Sequence, residues 1–163
     1  MRISLKIWYT GGSKMYNPVY MSNNFLIRSF KQGLAITSMK MQKMLYFLYR
    51  DYLKENGVSL FSERFSAWKY GPVLESVYHT YKMFGAKGIS NYGGIPAYSI
   101  KEEDDQKLKM LIDKIWETSK PYNGIYLSQL THRPESAWYK AWTKNLTFLR
   151  DEDIKEDTIQ ITG

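Results

Sequence analysis

A mainly α-helical α+β fold is what this sequence predicts: a compact single domain of about six helices with a small antiparallel β-sheet or hairpin. Three observations carry that expectation. Apolar residues recur at helical spacing in several separate stretches, with capping residues before them and glycines after them. Short runs of residues of β type occur over 58–68 and 89–100, punctuated by Gly-Pro and Gly-Gly. The length of 163 residues and the 44% hydrophobic content suffice for one buried core, and there is neither internal repeat nor low-complexity segment.

Ile3, Leu5 and Ile7 alternate like an edge strand that Gly11-Gly12-Ser13-Lys14 breaks, so residues 1–15 read as an N-terminal extension or edge strand. The domain proper is expected over 16–150, with a C-terminal tail over 151–163. Ser22 caps a first helix in which Phe25, Leu26 and Phe30 face inward and Gly33 is the stop. Thr37 caps the longest helix, which runs to Asn56 and ends at Gly57. At about 100° per residue, Met41, Met44, Leu45, Leu48, Tyr49 and Tyr52 share one broad arc, and Lys40, Lys43, Phe47, Arg50 and Lys54 share a separate, narrower one. That second arc reads as a solvated face or as a face that tracks phosphates.

Phe61, Phe65 and Trp68, separated by polar residues, predict one or two short strands over 58–68. Pro72, with φ pre-set and no amide hydrogen to leave unpaired, is placed at the start of the next helix. Val73, Leu74, Val77, Tyr78, Tyr81 and Phe84 form its buried face, and Gly85 closes it. A hairpin is expected over 89–100, turning at Gly93-Gly94 with Pro96 marking an edge strand. The acidic run from Glu102 to Asp105 suits the first turn of a helix whose core face is Leu108, Leu111, Ile112 and Ile115, ending at Lys120-Pro121-Tyr122-Asn123-Gly124. Short helices follow around 126–130 and from Pro134 to Trp142; Asp151 caps a last turn, and residues 159–163 are read as loosely held.

Composition narrows the chemistry. With no cysteine there is no disulfide scaffold, which fits a reducing, cytoplasmic setting, and two histidines give a structural metal almost no ligands. No stretch approaches the ~20 apolar residues of a membrane span. Nucleophilic catalysis with serine needs histidine as its usual base. His79, one helical turn from Glu75, reads as a surface or capping residue, and His132, between Thr131 and Arg133-Pro134, as a corner residue satisfying free backbone groups. No phosphate-cradling glycine motif, metal-binding HExxH or readable carboxylate pair is present, so neither catalytic residue, metal nor cofactor is assigned, and the expectation is a protein that works by contact. The charge of +7 is local: residues 1–100 hold 13 Lys/Arg against 4 Asp/Glu, and residues 101–163 hold 10 against 12.

The densest local information lies in Ala67-Trp68-Lys69-Tyr70-Gly71-Pro72-Val73-Leu74-Glu75-Ser76-Val77 and, downstream, Thr131-His132-Arg133-Pro134-Glu135-Ser136-Ala137-Trp138. Trp68, Gly71, Pro72, Thr131, His132 and Trp138 are assigned structural roles, and Lys69 and Tyr70 a rim able to anchor a partner protein. Together with the stretch from Leu34 to Phe47, these segments resemble the Panacea domain, the antitoxin module also called SocA-like and found in phage-associated GepA-type proteins. The resemblance runs from Met21 to Trp142. Met39, Met41 and Met44 stand where more leucine is expected, which loosens packing specificity without changing the fold.

The resemblance implies an antitoxin that binds a cognate toxin and keeps it inactive; a family member is described as an adaptor that delivers its toxin to a host protease. The expected partner surface is Lys40, Lys43, Arg50, Lys69 and Tyr70. Two alternatives stay open at this stage. One is a phage-borne inhibitor of a host defence protein; the other is a nucleic-acid-binding repressor using the basic helix 37–56.

Overall fold

The computed structural model describes residues 7–10 and 13–162. Among them are seven α-helices and two separate two-stranded antiparallel sheets, a mainly helical α+β architecture. The first sheet pairs β1 (Ile7–Thr10) with β2 (Ser13–Tyr16). Ser13 and Lys14 therefore continue a hairpin rather than breaking a strand, while Ile3 and Leu5 lie outside the described residues. Tyr16 fastens this hairpin to the domain: its amide donates to Leu60 O at 2.8 Å and its hydroxyl to Asp105 Oδ2 at 3.1 Å.

Helix α1 (Pro18–Gln32) starts four residues before the expected cap. Asn17 accepts from Val19 N at 2.9 Å and Tyr20 N at 3.3 Å, and Pro18 occupies the first helical position. Ser22 lies instead inside the helix, its hydroxyl 2.6 Å from that of Tyr81. Gly33, at φ 66°, ends the helix as expected. Phe30 is half-exposed and meets Tyr92 edge-on, outside the core.

Helix α2 (Ser38–Asn56) begins at the Thr37 cap and stops at Gly57, as its sequence dictates. Its environment is not the one that its charge pattern suggests. Every residue from Lys40 to Leu53 is buried, because α1, α3, α4, α5, α7 and β4 surround this helix. The basic arc is therefore an interior feature. Lys40 Nζ donates to Lys120 O at 3.2 Å, and Lys43 Nζ to Pro72 O at 3.1 Å. Arg50 pairs with Asp51 at 3.0 Å and Asp157 at 3.5 Å, donates to Ile159 O, and stacks its guanidinium 4.9 Å from the Phe47 ring centroid. Of the five residues in that arc only Lys54 is exposed, and its ammonium donates to Asp157 O.

Strand β3 (Ser66–Trp68) pairs with β4 (Gly71–Val73) through a two-residue turn, Lys69-Tyr70. Pro72 is thus a strand residue; its fixed φ suits an edge strand as well as a helix start. The Gln42 side chain decides between the two, accepting from Leu74 N at 2.8 Å and donating to Leu74 O at 3.0 Å. Leu74 is held extended, and α3 (Glu75–Tyr81) starts one residue later. Along the other edge of β3 runs the segment 147–149, with Ala67 N donating to Thr147 O and Leu149 N to Phe65 O, both at 2.9 Å.

The expected hairpin over 89–100 does not form. Two buried asparagines of α1 take the place of a strand partner: Asn23 exchanges hydrogen bonds with the Gly93 backbone (2.9 and 2.8 Å), and Asn24 does so with Ile100 (2.8 and 2.8 Å). The acidic run splits into a short 3-10 turn, Glu102–Asp104, and Asp105, which caps α4 (Gln106–Ser119) by accepting from Leu108 N at 3.1 Å. Arg28 of α1 clamps this corner through Glu102 and Asp113, each at 2.6 Å.

Helices α5 (Gly124–Thr131), α6 (Ala137–Thr143) and α7 (Asp151–Glu156) complete the domain. Position 124 is open only to glycine, since a Cβ there would lie 2.7 Å from Lys40 N. Toward the C-terminus Ile154, Asp157 and Ile159 are buried, with Asp157 under α2 and the start of α6, while Gln160 and Thr162 are exposed and Gly163 lies outside the described residues. No helix of the described residues is long and apolar enough to cross a membrane.

Candidate functional site

The two segments that stand out in the sequence are the two halves of one assembly. The β3–β4 turn exposes three successive carbonyls, and side chains from 58 to 70 residues downstream take one each. Trp138 Nε1 donates to Trp68 O at 2.7 Å, His132 Nε2 lies 2.9 Å from Lys69 O, and Ser128 Oγ donates to Tyr70 O at 2.6 Å. The fourth carbonyl, Pro72 O, is taken from below by Lys43. Thr131 Oγ1 donates to Ser128 O at 2.7 Å, and Thr131 O accepts from Ser136 Oγ at 2.6 Å, which fixes the α5–α6 corner.

His132 has its other ring nitrogen, Nδ1, 2.6 Å from Ser128 O, and its ring lies 4.0 Å from that of Trp138. Carbonyls only accept, so the ring nitrogen that carries the hydrogen donates to the carbonyl it faces. Replacing His132 by alanine is expected to lower stability by about 1–2 kcal/mol, through loss of the ring's hydrogen bonding to the corner carbonyls and of its contact with Trp138. Thermal melting checks it; an unchanged melting temperature would refute the corner role.

Gly71 makes room for Lys43. Its φ is 112°, and a Cβ there would come within 2.7 Å of Thr131 Oγ1 and 2.8 Å of Lys43 Cε. Gly71→Ala is expected to cost roughly 2–4 kcal/mol from strained backbone plus overpacking. Urea titration should show the midpoint falling, with the slope of the transition unchanged.

Above this frame the tip itself is open. Tyr70 is 59% exposed, and the Lys69 ammonium sits 5.4 Å from its ring centroid. Two apolar depressions share Tyr70 and Met39. One, of about 430 Å³, lies between α2, the hairpin and α3, with Lys43, Trp68, Val73 and Tyr78 in its wall. The other, of about 380 Å³, reaches Ile125 and His132 on α5. Trp68 meets Tyr78 edge-on at 4.9 Å, so the wall between hairpin and α3 is aromatic.

Of the residues expected to meet a partner, Lys69 and Tyr70 are at this surface, while Lys40, Lys43 and Arg50 are 5%, 1% and 2% exposed and are corrected to interior roles. The nucleic-acid reading fails with them, because a phosphate-tracking face must be exposed. Sequence reasoning missed Ser128, Met39 and Ile125. Ser128 stands one helical turn before His132; Met39 belongs to neither arc of α2, and Ile125, 64% exposed on α5, carries no periodic signal. His79 is exposed on α3 beside Lys82. Among the described residues no group of three or more His, Cys, Asp or Glu is placed to hold a metal ion.

A mainly helical α+β domain thus carries an aromatic hairpin locked from beneath by a buried lysine and by two later helices. Residues 41–139 match the family model described as antitoxin SocA-like, Panacea domain, and the chain belongs to that family. It is also similar to Antitoxin SocA of Caulobacter vibrioides (strain NA1000 / CB15N), with 34% identity over 70 residues. That alignment covers 43% of this chain and 37% of the relative. No solved structure matches.

Proposed function

We propose that this protein is an antitoxin that neutralises a cognate toxin by direct binding, through the face carrying Lys69, Tyr70, Met39 and Ile125. Family membership supports the antitoxin role, and one observation supports the surface. Tyr70 stands 59% exposed on a turn whose carbonyls are all held by side chains, between two apolar depressions. An aromatic fixed in this way loses little freedom on binding, and tyrosine is among the residues that dominate interface energetics. Lys69 beside it favours an acidic or mixed partner surface and speeds encounter. Neutralisation is then occlusion in a stoichiometric complex.

Co-expression tests the reading. The neighbouring gene is expected to be toxic alone, harmless together with this protein, and to co-purify with it. Tyr70→Ala is expected to weaken the complex by about 30- to 1,000-fold, the range of a hot-spot truncation of about 2–4 kcal/mol, while leaving the melting temperature of the free protein nearly unchanged. A harmless neighbour, rescue without a detectable complex, or full affinity in Tyr70→Ala would each overturn it.

A further inference from the structure

We propose that the pocket between α2, the β3–β4 hairpin and α3 is a binding site for a small amphiphilic monocarboxylate, its acid group paired with Lys43 and its hydrocarbon held by Trp68, Tyr70, Val73 and Tyr78. Its volume of about 430 Å³ is that of a small-molecule site. Its walls are largely apolar and aromatic, and no carboxylate lines it.

Lys43 sets the sign of the ligand. Its side chain is 1% exposed and makes a single hydrogen bond, to Pro72 O at 3.1 Å, with no acidic residue in ion-pair contact among the described residues. An ammonium has three donors, so two remain unused in the interior, where an unpaired cation is costly. Burial pushes this ammonium down to about 7, and an anion beside it would restore the charged form. Two further features have the same sign. Lys69 stands at the mouth, and the first turn of α2, with Ser38 and Met39 in the wall, turns the positive end of a nineteen-residue helix toward the pocket. An amine would add a like charge, and an alcohol would leave Lys43 uncompensated.

The fold also keeps this lysine where leucine or methionine would fill the space. Gly71 exists at φ 112° with its missing Cβ 2.8 Å from Lys43 Cε, so the hairpin is shaped around the lysine stem. A local rule broken at stability's expense, with dedicated accommodation, is what a ligand site leaves in a structure.

The experiment uses the purified full chain alone, without toxin, so that its outcome is separate from that of the antitoxin reading. Decanoate, decylamine and 1-decanol, each below its aggregation threshold, are titrated by calorimetry, with tryptophan emission followed in parallel. Decanoate is expected to bind one-to-one, at least about tenfold more tightly than the amine or the alcohol. Lys43→Met, checked for folding by circular dichroism, is expected to lose that preference while still binding decanol. Equal affinity for the three probes, no binding of decanoate, or an unchanged decanoate preference in a folded Lys43→Met protein would overturn the proposal; the comparison among probes on the unaltered protein stands even if the variant does not fold.

Discussion

Replacing Asp157 by alanine is expected to destabilise the fold by about 3–5 kcal/mol, the penalty for breaking a buried charge cluster from one side. Asp157 is 1% exposed, and four groups converge on its carboxylate. The Tyr46 hydroxyl donates to it at 2.6 Å, Ala137 N at 3.2 Å and Ile159 N at 3.0 Å, while Arg50 approaches to 3.5 Å. Alanine would leave a buried phenol and two backbone amides without acceptors, and Arg50 with Asp51 as its one carboxylate partner among the described residues. Asp157→Asn keeps one acceptor oxygen and should lose less. Urea denaturation measures both; a loss under 1 kcal/mol in the alanine variant would show that the cluster relaxes without it.

Lys43→Met is expected to act in the opposite direction. The Lys43 pKa falls from 10.5 to about 7 on folding, because burial disfavours the ammonium. The unfolded chain therefore binds more protons between those two values, and the stability of the natural protein rises with pH across that window through this group. Below about pH 7 the penalty is fully present, at most about 5 kcal/mol by linkage; above about 10.5 it is gone. Methionine removes it but leaves Pro72 O without its donor, which takes back about 1–3 kcal/mol. The variant should thus be more stable at pH 6 by a few kcal/mol, with the advantage shrinking as pH approaches 10. The difference between the two proteins isolates Lys43 from other groups that titrate in this range; a difference that does not vary with pH would refute the assignment.

Local signals suffice where one residue decides the outcome. Thr37 and Gly57 set the ends of α2, and Gly33 the end of α1, because caps and left-handed stops depend on their own few atoms. Reading failed where a distant side chain arbitrates. Pro72 suits a helix start or a strand equally, and Gln42, thirty residues earlier, settles the matter by holding Leu74 extended. Asn23 and Asn24 likewise remove a hairpin that Gly93-Gly94 and Pro96 suggest. The basic arc of α2 misled for a third reason. Helical periodicity reports which residues share a face; it carries no information on whether that face meets water or the backbone carbonyls of neighbours, and Lys40, Lys43 and Arg50 found carbonyls. At the candidate site, the motif residues were legible as a structural unit, whereas the pocket was not, because its walls come from three segments brought together only by folding.

The position of Asp157 bears on what is inherited within this family. The matched segment ends at 139, yet Tyr46 and Arg50, inside it, find their buried partner at 157, and Arg28 and Asn24 of α1, before it, anchor the 100–113 stretch. The matched segment is therefore smaller than the cooperative unit: it holds the hairpin and the α5–α6 corner, while flanking segments close the interior beneath. A domain trimmed to residues 41–139 would leave Tyr46 and Arg50 without Asp157, and would carry the Lys69-Tyr70 turn without the foundation that keeps it rigid.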